Sequence, residues 1–169
     1  MQKAQSKNGL AEEYKVGIAD LKAAPSPHHI VTLGLGSCVG VILYDKITKN
    51  GGMVHIMLPD STQFNKSNNP AKFADQGITL LLEEVLKLGA KKNSITAKIA
   101  GGAQMFKGHT SSLLNIGERN VKKTKDILSS LNIPLLAEET GGHIGRTLIH
   151  QNDTGRTFVR SIGDTLREI

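Results

Sequence analysis

The sequence predicts a mixed α/β domain, bordering on α+β, with helices packed on a mixed β-sheet. Three observations carry that expectation. Short apolar runs rich in Val and Ile, fenced by Gly, Pro and Asn, recur along the chain. Two longer segments instead space their apolar residues at helical intervals, so the order reads strands, helix, strand, helix, strands. The apolar residues are aliphatic: four Phe, two Tyr and no Trp leave the core to Ile, Leu, Val and Ala.

The 169 residues fit the roughly 100–200 of one domain. Residues 1–10 read as a polar, flexible tail and 11–169 as a single domain. Tyr14–Lys22 is expected as a first strand, and Pro25-Ser26-Pro27 breaks it. Ile30–Leu35 reads as a strand, Gly34–Gly40 as a tight backbone region, and Val39–Tyr44 as a β-branched run. Lys46–Gly52, with its Asn50-Gly51 dipeptide, reads as a turn, and Met53–Leu58 as a strand stopped by Pro59. The two runs predict a β-hairpin. Pro70-Ala71 opens a helix with Phe73, Ala74, Ile78, Leu81, Leu82, Val85, Leu86 and Leu88 at helical spacing, and Gly89 ends it. Ile95–Ala100 is expected as a strand running into Gly101-Gly102, with 103–114 irregular. A second helix starts near Asn115, with Ile116, Val121, Ile127, Leu128 and Leu131 as its inner face, and stops before Pro134. Ile133–Ala137, Thr147–Gln151 and Thr157–Arg160 are expected as short strands.

Composition narrows the function. No apolar run approaches the ~18 residues of a membrane span, and the first residues show no apolar signal segment. One cysteine cannot form an internal disulfide, which fits a reducing, cytoplasmic setting. The net charge is +6, but it is scattered and base-stacking aromatics are few. That argues against nucleic acid and for an acidic protein partner. Six histidines and one cysteine show no zinc spacing, so no metal is expected. Gly34, Gly36 and Gly40 miss the dinucleotide fingerprint by one residue, there is no P-loop, and no cofactor is expected.

The chemical lead is Cys38 among these glycines. A free cysteine is often only a small buried apolar residue. Glycines, however, let backbone N–H groups approach a reacting carbonyl, so a thiol here has an oxyanion site at hand. The attacking species is the thiolate, which needs a base or a cation beside it. His55 interrupts the apolar run MVHIMLP, where a structural histidine is the plain alternative. Paired with Cys38 across a hairpin, whose register the spacing alone does not set, it would form the thiolate–imidazolium pair of cysteine hydrolases. A third group must orient the imidazole, and Thr32, Asp45 and Asp60 are all candidates. Gly36-Ser37-Cys38-Val39-Gly40 also matches the nucleophile elbow of α/β-hydrolases, but the residues after it read as strand rather than helix.

TLGLGSCVGVILYD, GGMVHIMLPD, KIAGGAQMF, IGERN and ETGGHIGR resemble, in order, the signature blocks of the CheD family of chemoreceptor glutamine deamidases. The resemblance runs from about Tyr14 to Arg160. It implies a layered fold related to bacterial toxin deamidases, and hydrolysis of glutamine side chains on methyl-accepting chemotaxis receptors to glutamate and ammonia. By motif it implies Cys38 as nucleophile, His55 as its acid–base partner and Thr32 as the residue that orients His55, with Gly36 and Ser37 lining the substrate. It also implies a CheC-type chemotaxis phosphatase as partner, with Phe106 on that surface. The alternative it leaves is a regulatory binding partner of that phosphatase with little catalysis of its own.

Overall fold

The computed structural model describes residues 10–64, 67–105 and 115–169. Along these residues run β1 (Glu13–Lys15), β2 (Leu21–Ala24), β3 (His29–Leu35), β4 (Val39–Asp45), β5 (Asn50–Ile56), α1 (Ala74–Lys87), β6 (Ile95–Gly101), α2 (Ile116–Ser130), β7 (Leu135–Thr140), β8 (Arg146–Gln151), β9 (Thr157–Ser161) and β10 (Arg167–Glu168). The strands form two five-stranded sheets, ordered β2-β5-β4-β6-β7 and β1-β3-β8-β9-β10. Both are mixed, since β6–β7 and β1–β3 pair in parallel and the other pairs are antiparallel.

The expected mixed sheet under helices is the first of these. Val41, Leu43, Val54 and Ile56 meet Ile78, Leu81 and Val85 of α1 and Leu128 of α2 on its outer face. Its other face is covered by the second sheet, where Ile42, Tyr44 and Met53 pack against Ile30, Leu35, Leu148 and Val159. β4 and β5 are therefore buried along their whole length. That explains why their sequences are near-continuous apolar runs instead of alternating ones.

Several expectations shift for physical reasons. The single strand over Tyr14–Lys22 is two short strands with a turn between them, and Ala19 in that turn has φ 57°. The hairpin turn is shorter than predicted. Asp45 pairs with Asn50, leaving Lys46–Lys49 as the turn. The Asp45 carboxylate accepts from the Ile47 N–H, the Thr48 hydroxyl and the Lys91 N–H. Gly51 and Gly52 lie in β5, and Gly52 answers to packing: a Cβ there would sit 2.7 Å from Leu81 Cδ1 and 2.9 Å from Val85 Cγ2. Pro70–Lys72 forms a 3-10 turn before α1, capped by the Asn69 side chain. The buried line of α2 is Gly117, Asn120, Thr124 and Leu128; Val121, Ile127 and Leu131 only flank it, and Ile116 is half-buried. No helix among the described residues is long and apolar enough to cross a membrane.

Candidate active site

The site lies between the two sheets at the start of β4. Cys38 immediately precedes that strand and is half-buried, packed on the inter-sheet cluster. In the β4–β5 ladder Gly40 lies opposite His55. Side chains on one strand alternate between faces, and directly paired residues share a face. Cys38, Gly40 and Ile42 thus look toward the second sheet, and His55 shares that face. Cys38 comes one residue before the ladder's end pair Val39–Ile56 and packs on the cluster that this face covers. Gly40 lets the two sheets pack closely here, because a Cβ there would lie 2.8 Å from Leu148 Cδ2 and 3.1 Å from Leu35 Cδ1.

His55 is fully buried. Its backbone is clamped by the β1–β2 turn: its N–H donates to Asp20 O at 3.0 Å, and its C=O accepts from the Ala19 N–H at 2.9 Å. Its Nδ1 lies 2.7 Å from Thr32 Oγ1. The Thr32 hydroxyl also donates to Val16 O, at 2.7 Å. A hydroxyl has one hydrogen. Thr32 gives it to the Val16 carbonyl, so toward His55 it accepts, and Nδ1 carries the proton. The lone pair is then on Nε2, which is buried and has no hydrogen-bond partner among the described residues. A β-bulge lies between Thr32 and Leu35, where β3 carries one residue more than β8 as the chain runs toward Cys38.

Of the three candidates for the orienting group, Thr32 is the one within hydrogen-bond distance of His55. Asp45 sits at the other end of β4, its pKa brought to about 2 by the Lys91 and Ile47 N–H groups against the upward push of burial. Asp60 binds Lys123 and Thr62, which hold its pKa at about 2.

Burial acts on both Cys38 and His55. It raises the Cys38 thiol above its ordinary value, with the residue's own N–H partly opposing it. It lowers His55 to about 4. Desolvation penalises whichever form is charged, so the free protein favours neutral thiol and neutral imidazole. Burial therefore works against the thiolate–imidazolium pair expected from the sequence.

Gly36 and Ser37 sit in the loop before Cys38, and Met105 covers Gly36, with its Cγ 3.3 Å from where a Cβ would be. Phe106 lies outside the described residues. Two contributors had no signal in the apolar pattern. Val16 acts through its carbonyl, which no side-chain pattern reports. Asn120, fully buried in α2, donates to Ser37 O and to Met57 O; the hint was an asparagine, a weak helix former, in mid-helix. A cavity of about 500 Å³ lined by Gly102, Gln104, Val121, Thr140 and His143 among others takes no wall from Cys38, Thr32 or His55. Among the described residues no group of three or more His, Cys, Asp or Glu side chains is arranged to hold a metal ion.

Comparison with known proteins shows the family. A sequence model described as "CheD chemotactic sensory transduction" matches residues 57–161. A protein of Desulforamulus reducens named "Probable chemoreceptor glutamine deamidase CheD" is 56% identical over 158 residues, 93% of this chain and 95% of its own. One of the same name from Clostridium botulinum is 52% identical over 159 residues, 94% of this chain and 98% of its own. The family model begins two residues past His55, but alignments of that length necessarily cross Thr32, Cys38 and His55. The chain belongs to the CheD family.

Proposed function

We propose that this protein hydrolyses the side-chain amide of glutamines on methyl-accepting chemotaxis receptors, with Cys38 as nucleophile, His55 as acid and base, and Thr32 as the group that orients His55. One observation carries the reading: the chain Val16 C=O, Thr32 hydroxyl, His55 Nδ1 fixes the imidazole so that an unpartnered Nε2 shares a face with the only thiol. The relatives' name supplies the substrate.

Each step follows from that arrangement. As the Cys38 sulfur bonds to the amide carbon, its proton passes to Nε2. The carbonyl oxygen takes the negative charge beside the N–H groups of the glycine-rich loop. The imidazolium, stabilised through Nδ1–H by Thr32, returns the proton to the departing nitrogen, and the C–N bond breaks to release ammonia. His55 then takes a proton from water, the hydroxide adds to the thioester, and glutamate leaves as the thiol is restored. Gly36 and Ser37 line the substrate's approach. A net charge of +6 steers the protein toward glutamate-rich receptor helices.

A single domain over 11–169, a relation to the toxin-deamidase fold, a cytoplasmic location and a CheC-type phosphatase partner meeting Phe106 belong to the same reading, and rest on the family resemblance. The test is mass spectrometry of a receptor cytoplasmic fragment after incubation with the protein. Each converted glutamine gains the mass of exchanging NH2 for OH. Cys38→Ala, folded by its melting curve, should leave every glutamine intact; conversion by that variant removes Cys38 from the mechanism.

A further inference from the structure

Asn120 is buried in the middle of α2, and burying an amide is unfavourable unless its hydrogen bonds are made. Its Nδ2 uses both hydrogens, on Ser37 O at 2.9 Å and on Met57 O at 3.0 Å. Two carbonyl neighbours fix the amide's orientation, because the flipped form would set oxygen against oxygen. Its Oδ1 is buried and has no partner among the described residues. An unpaired buried acceptor is unfavourable, because it has given up its water. The residue therefore keeps an unfavourable acceptor for the sake of its two donors.

Both donors act on the reacting elements. The Ser37 carbonyl and the Cys38 N–H belong to one trans peptide, so they point in opposite directions. Asn120 holds the carbonyl from the α2 side and thereby turns the N–H away from α2. The neighbouring peptides are held on the same pattern by backbone: Gly36 O accepts from the Ala103 N–H and Cys38 O from the Gly102 N–H, each at 2.8 Å. Of these three consecutive carbonyls, only the middle one is held by a side chain. The second Asn120 bond reaches Met57, two residues past His55, and ties the nucleophile loop to the strand carrying the imidazole.

We propose that Asn120 is a positioning residue that aims the Cys38 N–H at the oxyanion formed when Cys38 is acylated. The inference builds on Cys38 as nucleophile, but it does not depend on which amide is the natural substrate. It predicts a selective defect. Acylation of Cys38 by p-nitrophenyl acetate passes through an oxyanion; alkylation by iodoacetamide does not. In Asn120→Ala the acylation rate should fall roughly 10–100-fold, less than the roughly 100–1,000-fold for deleting an oxyanion donor outright. The alkylation rate should stay within about threefold of the parent, so that the defect is confined to the oxyanion step. Should Asn120→Ala fail to fold, the isosteric Asn120→Asp, which withdraws the paired donors, reads the same ratio. An unchanged ratio assigns Asn120 to stability alone and overturns the proposal, whether both rates hold or both fall together. A parent protein whose Cys38 is alkylated but never acylated overturns it as well. A parent that is acylated by the ester yet leaves receptor glutamines intact sinks the deamidation reading and spares this one.

Discussion

Two buried histidines occupy opposite ends of the layer between the sheets, and they are nearly the same object. His55 lies opposite Gly40 near the start of β4; His150 stacks edge-on against Tyr44 near its end, with ring centroids 4.7 Å apart. Each places Nδ1 on a threonine hydroxyl, Thr32 at 2.7 Å and Thr157 at 2.9 Å. Each leaves Nε2 buried and unpartnered among the described residues. Burial pushes both below the ordinary imidazole range, His55 to about 4 and His150, with help from Lys98 and His29, to about 3. The difference lies around them. Thr32 belongs to the facing sheet and spends its hydrogen on Val16 O, whereas Thr157 is the in-register neighbour of His150 on β9. Beside His55 are an opposing glycine and a thiol; around His150 are an aromatic ring and the ionisable groups Lys98, His29 and Asp153. A histidine–threonine bond between sheets is thus a way to hold a neutral imidazole in place. Only the first of the two, His55, shares its face with the thiol on which the proposed chemistry rests.

The sharpest break of the comparison is a matched pair of substitutions. Asparagine keeps a polar atom where Nδ1 was and removes Nε2. His55→Asn should lower turnover of receptor glutamine by roughly 100–10,000-fold, the range for losing a general acid–base. His150→Asn should leave turnover per folded molecule within about twofold. Equal losses from the two variants, measured as ammonia release, would mean that the thiol's neighbour has been misassigned.

A smaller effect separates the threonines. Thr32→Val removes the acceptor that holds Nδ1–H and should cost roughly 10–100-fold in kcat, as supporting groups around a reacting histidine do. Thr32→Ser should recover most of it. Thr157→Val also strands a buried imidazole nitrogen and should lower the melting temperature by a comparable amount, without changing kcat. A Thr32→Val enzyme with full kcat would reduce Thr32 to packing.

Why one pair was visible in the sequence and the other was not follows from these neighbours. Cys38 stood out because it is unique and fenced by glycine, and His55 because it breaks an apolar run. The family blocks then singled out Thr32 where residue chemistry had left Asp45 and Asp60 open. His150 sits in a strand whose outward positions are mixed, so nothing marked it. The helices and most strands followed from apolar spacing. The second sheet did not, because hydrophobic runs report that a strand is covered on both faces without saying what covers it. The turn was drawn too far, through Gly52, because glycine serves tight turns and close packing alike, and at Gly52 Leu81 and Val85 claim the space. Asn120 escaped because a buried polar residue subtracts from the very pattern used to find buried faces.

The smallest expected effect tests what the two imidazoles share. A histidine whose folded pKa is depressed binds fewer protons folded than unfolded, so its contribution to stability is complete above the unfolded value of about 6.5 and is lost as pH falls toward the folded value. Both histidines should therefore make the protein less stable between about pH 6.5 and 4, each by at most about 1.4 kcal/mol per pH unit. Asp45 and Asp60, depressed to about 2, lose their contributions below about pH 4, beneath that window. Denaturant midpoints taken at pH 6 and pH 5 should fall in the parent protein, and each of His55→Asn and His150→Asn should remove about half of the fall. If only His150→Asn flattens the slope, His55 holds its proton in the folded state, and the resting site is an ion pair after all.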